Sequence, residues 1–267
     1  MSFSIAGKTA IVTGSANGVG LAIGRHFLSE GANVIFADMD EAALEREVGD
    51  VAGEGKAARI MACDLRQRLS IANLLSATVD AFERVDILVN AARQVVLTDP
   101  LDPDDDSVSQ MLEQNLVAAL RLTQATARRM IKQAEGQEEG QVGAIVNLSS
   151  IAARRSHTDL LAYSISTAAL DQMTRSMAVA LAPKRIRVNA VAFGSVMSAS
   201  LKTTLREHDE FRSEIIDHTP LHRIASPGEV ADAVQYLASD AAGFVTGQVI
   251  TVDGGRTLLD AVGVAAH

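Results

Sequence analysis

Thr13-Gly14-Ser15-Ala16-Asn17-Gly18-Val19-Gly20 decides the fold of this chain, because it stands between a β-rich run at 9–12 and an amphipathic stretch at 19–30. Glycines at such a junction permit a tight strand-to-helix turn. They also let backbone N–H groups close on a phosphate, whose charge the helix N-terminus favours. A glycine loop alone is also compatible with a plain tight turn, so the reading rests on what surrounds it.

Working outward, strand-like runs alternate with helical stretches. Strands are predicted at 9–12, 33–37, 59–63, 85–90, 144–148, 186–191 and 248–252. Helices are predicted at 19–30, 41–51, 68–82, 108–134, 162–181 and 227–237, with Gly31 at a helix stop. Alternating β and α units with continuous apolar strands imply an α/β fold whose parallel sheet is covered on both faces. Ligands of such open sheets sit at the carboxyl ends of the strands. The chemistry is therefore expected just after Val12, Ala37, Asn90, Leu148 and Val191.

The bulk composition agrees. Aromatic residues make up 3% with no Trp, so the core must be aliphatic, and the only polar stretch resembling a gap, 132–141, is one loop long. A single domain over 1–267 is expected. A net charge of −9 argues against nucleic acid or an anionic membrane as the main partner. Cys63 is the only cysteine, which excludes an intrachain disulfide and a thiolate zinc cluster. No metal site is expected. The dense acids of Asp102-Pro103-Asp104-Asp105-Asp106 read as a solvated, capping turn, since hard-cation loops need alternating ligands. The first residues carry no signal-peptide pattern and no stretch approaches a membrane span, so a cytoplasmic location is expected.

Asp38 ends the second strand, eighteen residues after Gly20. A carboxylate there accepts from the ribose hydroxyls of an adenosine and repels a 2′-phosphate. Asn17 and Met39 offer no cation to offset that repulsion. NAD(H) is favoured over NADP(H), with a solvated strand-end acid or helix cap as the plainer reading of Asp38.

The ordered set of motifs resembles the short-chain dehydrogenase/reductase family, of the 3-oxoacyl reductase or hydroxysteroid dehydrogenase kind, over about residues 5–256. It comprises the glycine loop, Cys63-Asp64-Leu65, Leu88-Val89-Asn90-Ala91-Ala92, Asn115, Val146-Asn147-Leu148-Ser149-Ser150, Tyr163, Arg187-Val188-Asn189-Ala190-Val191 and Val252-Asp253-Gly254-Gly255. The resemblance implies a three-layer, doubly wound Rossmann fold with a seven-stranded parallel sheet. It implies NAD(H)-dependent interconversion of a secondary alcohol and a ketone, on a small-molecule substrate, in a homotetramer or homodimer. The implied cofactor residues are Gly14, Ser15, Asn17, Gly18, Val19, Gly20, Asp38, Met39, Asp64, Leu65, Asn90, Ala91, Ala92, Tyr163, Gly194, Val196 and Ser198. Tyr163 would be the general acid/base. Ser150, thirteen positions earlier, would polarise the substrate oxygen, and Asn115 would support a proton-relay water. Segment 194–222 would cover the substrate.

Several residues depart from the family pattern, and all belong to the nicotinamide end. Thr167 replaces the Lys that follows the Tyr by four residues, leaving an uncharged stand-in at the ribose. Ala91 and Arg93 replace an Asn and a Gly, Phe193 replaces a Pro, and Ser198 stands in for a Thr. A phenol is a poor base at neutral pH and needs a nearby cation. Either Arg93 supplies that cation, or the chain has kept its cofactor and lost most catalysis, serving as an NAD(H)-binding or partner subunit. In the second case Tyr163 is a core tyrosine. Arg154, Arg155 and His157 are weaker candidates for the cation and read as a solvated loop face.

Overall fold

A computed structural model of the chain describes residues 2–260 and 262. Seven strands, β1 (Thr9–Thr13), β2 (Asn33–Asp38), β3 (Ala58–Ala62), β4 (Ile87–Asn90), β5 (Gly143–Ser150), β6 (Ile186–Phe193) and β7 (Val249–Val252), form one sheet in the order β3-β2-β1-β4-β5-β6-β7. Every pairing is parallel. The order reverses between β1 and β4, and the loops leaving these two strands part there to open a crevice.

Successive strand residues serve opposite faces. Val12, Phe36, Val89 and Val146 join one buried cluster with Ile23 and Phe27 of α1 (Gly18–Ser29), Leu44 of α2 (Glu41–Val48) and Val234 of α9 (Pro227–Ala238). Ile11, Ile35, Leu88, Ile145 and Val188 join another. Their partners are Leu74 of α3 (Arg68–Phe82), Leu122 of α5 (Ala118–Gln133) and Leu181 of α6 (Leu161–Leu181). The result is the expected three layers. Both faces being covered explains why the strands read as continuous apolar runs rather than alternating ones.

Some boundaries differ from the sequence reading, and the differences matter at the site. β5 and β6 run on to Ser150 and Phe193 because their ladder pairs those two residues directly. The single helix predicted at 108–134 is instead α4 (Ser107–Leu112), one wide π-helical turn at Glu113–Val117 and then α5. Such turns cluster at functional sites, and this one carries Asn115. Helix α2 stops at Val48. Segment 194–222 contains α7 (Ala199–Glu207) and α8 (Asp209–Asp217). In the acidic turn, Asp105 accepts from the Asp99 and Ser107 amides, so its carboxylate shapes the turn. No described helix is long and apolar enough to cross a membrane.

Candidate active site

The glycine loop leaves β1 at the crevice, held on two sides. Ala16 N donates to Asp38 Oδ2 at 3.0 Å and Ser15 N donates to Ala37 O at 3.3 Å, which fixes the loop to the end of β2. Thr13 Oγ1 donates to Val89 O and accepts from the Ala91 and Ala92 amides at 3.0 and 3.1 Å, which fixes the chain leaving β4. Gly14 has φ +62, and a Cβ there would stand 2.6 Å from Ala92 Cα. The strand ends close on each other only because this position lacks a side chain. Gly18 (φ +55) differs, since a Cβ there would meet only Ser198 Cβ, at 3.9 Å, and would otherwise project into open space.

That space is a cleft of about 790 Å³. Gly14, Asn17, Gly18, Val19 and Gly20 line it, with Asp38, Met39 and Leu65 at one end. Ala91, Ala92, Arg93, Leu148, Phe193, Gly194, Val196 and Ser198 line the other. A nicotinamide dinucleotide fits this surface chemically. Open backbone amides at a helix N-terminus suit a pyrophosphate. The Asp38 oxygens, each holding one amide, keep lone pairs free for ribose hydroxyls.

Tyr163, also expected at the cofactor, is outside the cleft lining and meets it through Arg93, and four other expected contacts turn out differently as well. Ser15 is fully buried and bonds Ala37 O, so it shapes the loop from behind. Asn90 donates to Asn147 Oδ1 (2.8 Å) and Thr123 Oγ1 (3.0 Å), tying β4 to β5 and α5 beneath the cleft. Asp64 is not in the cleft wall. It chelates Arg66 at 2.9 Å, and that hydrogen bond holds its carboxyl below the usual range. Arg66 itself lines the cleft beside Cys63, whose thiol is pushed up to about 11, first by burial and then by the charges of Asp38 and Asp64. Thr167, the fourth, is 2% exposed, and its hydroxyl donates to Tyr163 O at 2.8 Å, one helical turn back. It bonds back to carbonyls of its own helix rather than facing a ribose.

Arg93 and Phe193 line the cleft, while Ser150 at the end of β5 and Tyr163 in α6 stand just outside its lining, in contact with that pair. Ser150 closes β5, and its Oγ accepts from Ala152 N at 3.1 Å, leaving the hydroxyl hydrogen available. Tyr163 lies in the first turn of α6, 5% exposed. Arg93 Nη1 donates to Tyr163 Oη at 2.7 Å. The same guanidinium stands 4.3 Å from the Phe193 ring centroid, and Phe193 is register-paired with Ser150. Two of the departures noted in the sequence are thus in contact: the arginine gained after β4 rests on the phenylalanine gained at the end of β6. Asn115 accepts from Gln94 N at 2.8 Å and donates to Gln94 O at 2.9 Å, so its carboxamide is committed to the residue following Arg93. Ser198 caps α7 through Leu201 N. Loop residues 154, 155 and 157 remain exposed, away from the cleft lining.

Comparison with known proteins agrees with this geometry. A family model described as enoyl-(acyl carrier protein) reductase matches residues 14–257. The chain belongs to the short-chain dehydrogenase/reductase family. As a member of that family it is an oxidoreductase acting on CH–OH groups. It is 36% identical to galactitol 2-dehydrogenase (L-tagatose-forming) of Cereibacter sphaeroides, over 96% of this chain and 97% of that one. It is 31% identical to 7alpha-hydroxysteroid dehydrogenase of Escherichia coli K12, over 93% and 94%. A structure of 7α-hydroxysteroid dehydrogenase complexed with NADH and 7-oxo glycochenodeoxycholic acid superposes with a TM-score of 0.86, covering 95% of each chain at 31% identity.

Sequence reasoning missed Arg66, Gln94, Val95 and Gln114 of this dehydrogenase/reductase site. Arg66 was hidden because cleft walls are assembled across strands, although its place after the Asp64 motif was a usable signal. Gln94 and Gln114 carry no motif and enter only through the path of the chain after β4 and the π-helical turn.

Proposed function

We propose that this protein interconverts a secondary alcohol and a ketone using NAD(H), with Tyr163 as general acid/base and Ser150 as the donor that polarises the substrate oxygen. The supporting observation is a cleft that joins the glycine cradle and Asp38 to Arg93, whose guanidinium bonds Tyr163 Oη just outside the lining. The complex of NADH with the 7α-hydroxysteroid relative supports a nicotinamide cofactor. Bound there, such a cofactor would supply or accept the hydride. Asn17, Gly18 and Val19 would hold its pyrophosphate, Asp38 its adenosine ribose, and Ala91, Ala92, Gly194 and Val196 the remainder. Asp38 favours NAD(H) over NADP(H) by charge, and the charge of Arg66 does not reverse this because Asp64 offsets it.

The chemistry of the chain itself is proton handling in a site shielded by strands β4, β5 and β6. Tyr163 donates its proton to the oxygen of a ketone, or takes one from an alcohol. The Ser150 hydroxyl hydrogen steadies the same oxygen. Asn115, whose carboxamide clamps Gln94, would support the proton-relay water from its place in the π-helical turn. Segment 194–222 would cover the substrate, and the relatives' sugar-alcohol and steroid substrates mark the range to search. A homotetramer or homodimer fits the exposed apolar Leu258 and Leu259 beside Gly254 and Gly255.

A second reading, a cofactor-binding protein with little turnover, is favoured by the absence of a cation at Thr167. The two separate in one assay. With NAD⁺ present and a panel of sugar alcohols, hydroxysteroids and aliphatic secondary alcohols, the enzyme reading requires formation of reduced cofactor that vanishes in Tyr163→Phe. Cofactor binding without turnover across the panel supports the second reading.

A further inference from the structure

The bond between Arg93 and Tyr163 has a defined polarity. A guanidinium has only donors, so the phenol oxygen must accept, and the phenolic hydrogen is left free for another acceptor. A guanidinium also keeps its proton throughout the working pH range. When the phenolic O–H bond breaks and an O–H bond forms on the substrate oxygen, the charge left on Tyr163 Oη faces a fixed cation at hydrogen-bond distance. In the oxidising direction the same charge accepts the alcohol's proton. Arg93 neither gives nor takes a proton in either direction.

Long arginine side chains usually cost entropy to hold in place. Here the surroundings restrain it. Its guanidinium lies over Phe193, which is 3% exposed and sits on the ladder beside Ser150. Its main chain is fixed on one side by Thr13 Oγ1, through Ala91 and Ala92, and on the other by Asn115, through Gln94. Thr167 brings no charge, and its hydroxyl is spent on helix carbonyls.

We infer that Arg93 is the cation of the reacting site: it stabilises the charge that develops on Tyr163 Oη as the proton moves, and Phe193 is the platform that aims it. The inference rests on Tyr163 being the acid/base, as proposed above. Fixed donors aimed at developing charge typically contribute about 10²–10³ in kcat.

The chain has two tyrosines and no Trp. Protein labelled with ¹³C at tyrosine Cζ therefore gives two signals, and Tyr163→Phe identifies which belongs to Tyr163. Arg93→Ala is expected to move that signal and leave that of Tyr236 in place. With the best alcohol from the panel, Arg93→Ala and Arg93→Gln should each lower kcat about 100-fold. Added guanidinium chloride should restore part of the Arg93→Ala activity and none of that of Tyr163→Phe. Arg93→Lys should retain more than Arg93→Gln, because it keeps the charge. An unmoved Tyr163 signal in Arg93→Ala, or a kcat within threefold of the parent for Arg93→Gln, overturns the inference. Absence of turnover in the parent protein instead overturns the enzyme reading, and the tyrosine signal still reports whether the bond exists.

Discussion

Replacing Gly14 by Ala should separate the two tasks of the glycine loop. At φ +62 an L-residue costs about 1–2 kcal/mol relative to glycine. The new Cβ would also stand 2.6 Å from Ala92 Cα, 2.7 Å from Ala92 N and 2.8 Å from Ala91 O, all main-chain atoms that cannot swing aside. To relieve the overlap, the chain after β4 must move off Thr13 Oγ1, weakening two hydrogen bonds worth about 1 kcal/mol each. The sum is about 3–4 kcal/mol, which for a domain of this size lowers Tm by about 6–16 °C. Gly18→Ala is the control. It carries a similar conformational cost at φ +55, but its methyl meets only Ser198 Cβ at 3.9 Å and points into the cleft. Urea unfolding and NADH calorimetry on both variants read the two effects apart. Gly14→Ala should lose stability and binding together, whereas Gly18→Ala should lose more than tenfold in NADH affinity for about 1–2 kcal/mol of stability. If Gly14→Ala stays within about 1 kcal/mol of the parent, the close approach of loop and strand end is not what requires the glycine. If Gly18→Ala binds NADH normally, the ligand does not run across this turn.

Other consequences can be measured directly. Asp38→Ala should weaken NADH binding about tenfold and narrow the NADH/NADPH ratio, and it should also destabilise the loop by about 1–2 kcal/mol, because Ala16 N loses its acceptor. Cys63 should alkylate with iodoacetamide at pH 8 about 100-fold more slowly than a free cysteine, since a thiol near 11 is almost wholly protonated there. Glu229 is held down to about 2, chiefly by Arg223 and also by the Ser226 amide. Its folded value lies below its unfolded one, so its contribution is present above about pH 4.5 and is lost as pH falls toward 2. Because the pair is open to solvent on one side, it should contribute less than about 1 kcal/mol. The Tm gap between the parent and Glu229→Gln should therefore shrink between pH 5 and pH 3. Thr167→Val should cost less than about threefold in kcat, as its hydroxyl serves only the carbonyls of α6.

Most of the fold was legible because its signals are local. The glycine loop, the apolar strand runs and Asp38 each report on their own few residues, and parallel topology follows from their alternation. What was less legible arises between segments. Nothing in 144–148 announces that the strand continues to Ser150, because that depends on the ladder with β6. The wide turn at Glu113–Val117 hides in an unbroken helical periodicity. Thr167 was expected at the ribose because spacing says which residue stands four after the tyrosine, but not where a hydroxyl finds its nearest carbonyl. Asn90 and Asp64 were assigned to the cofactor by motif. Their neighbours Asn147 and Arg66, distant or unremarked in sequence, claim their polar atoms first. Arg93 is the instructive case. The sequence marked it as unusual and offered it a role, and only packing could place its guanidinium between Phe193 and Tyr163.

The most direct test of the central claim is a calorimetric titration of the purified protein with NADH, repeated with NADPH. Saturable binding of one NADH per chain, at least tenfold tighter than NADPH, is the expected result. No binding of either would contradict the account, because a cleft closed to the nicotinamide dinucleotide leaves Tyr163 and Ser150 without a reaction to perform.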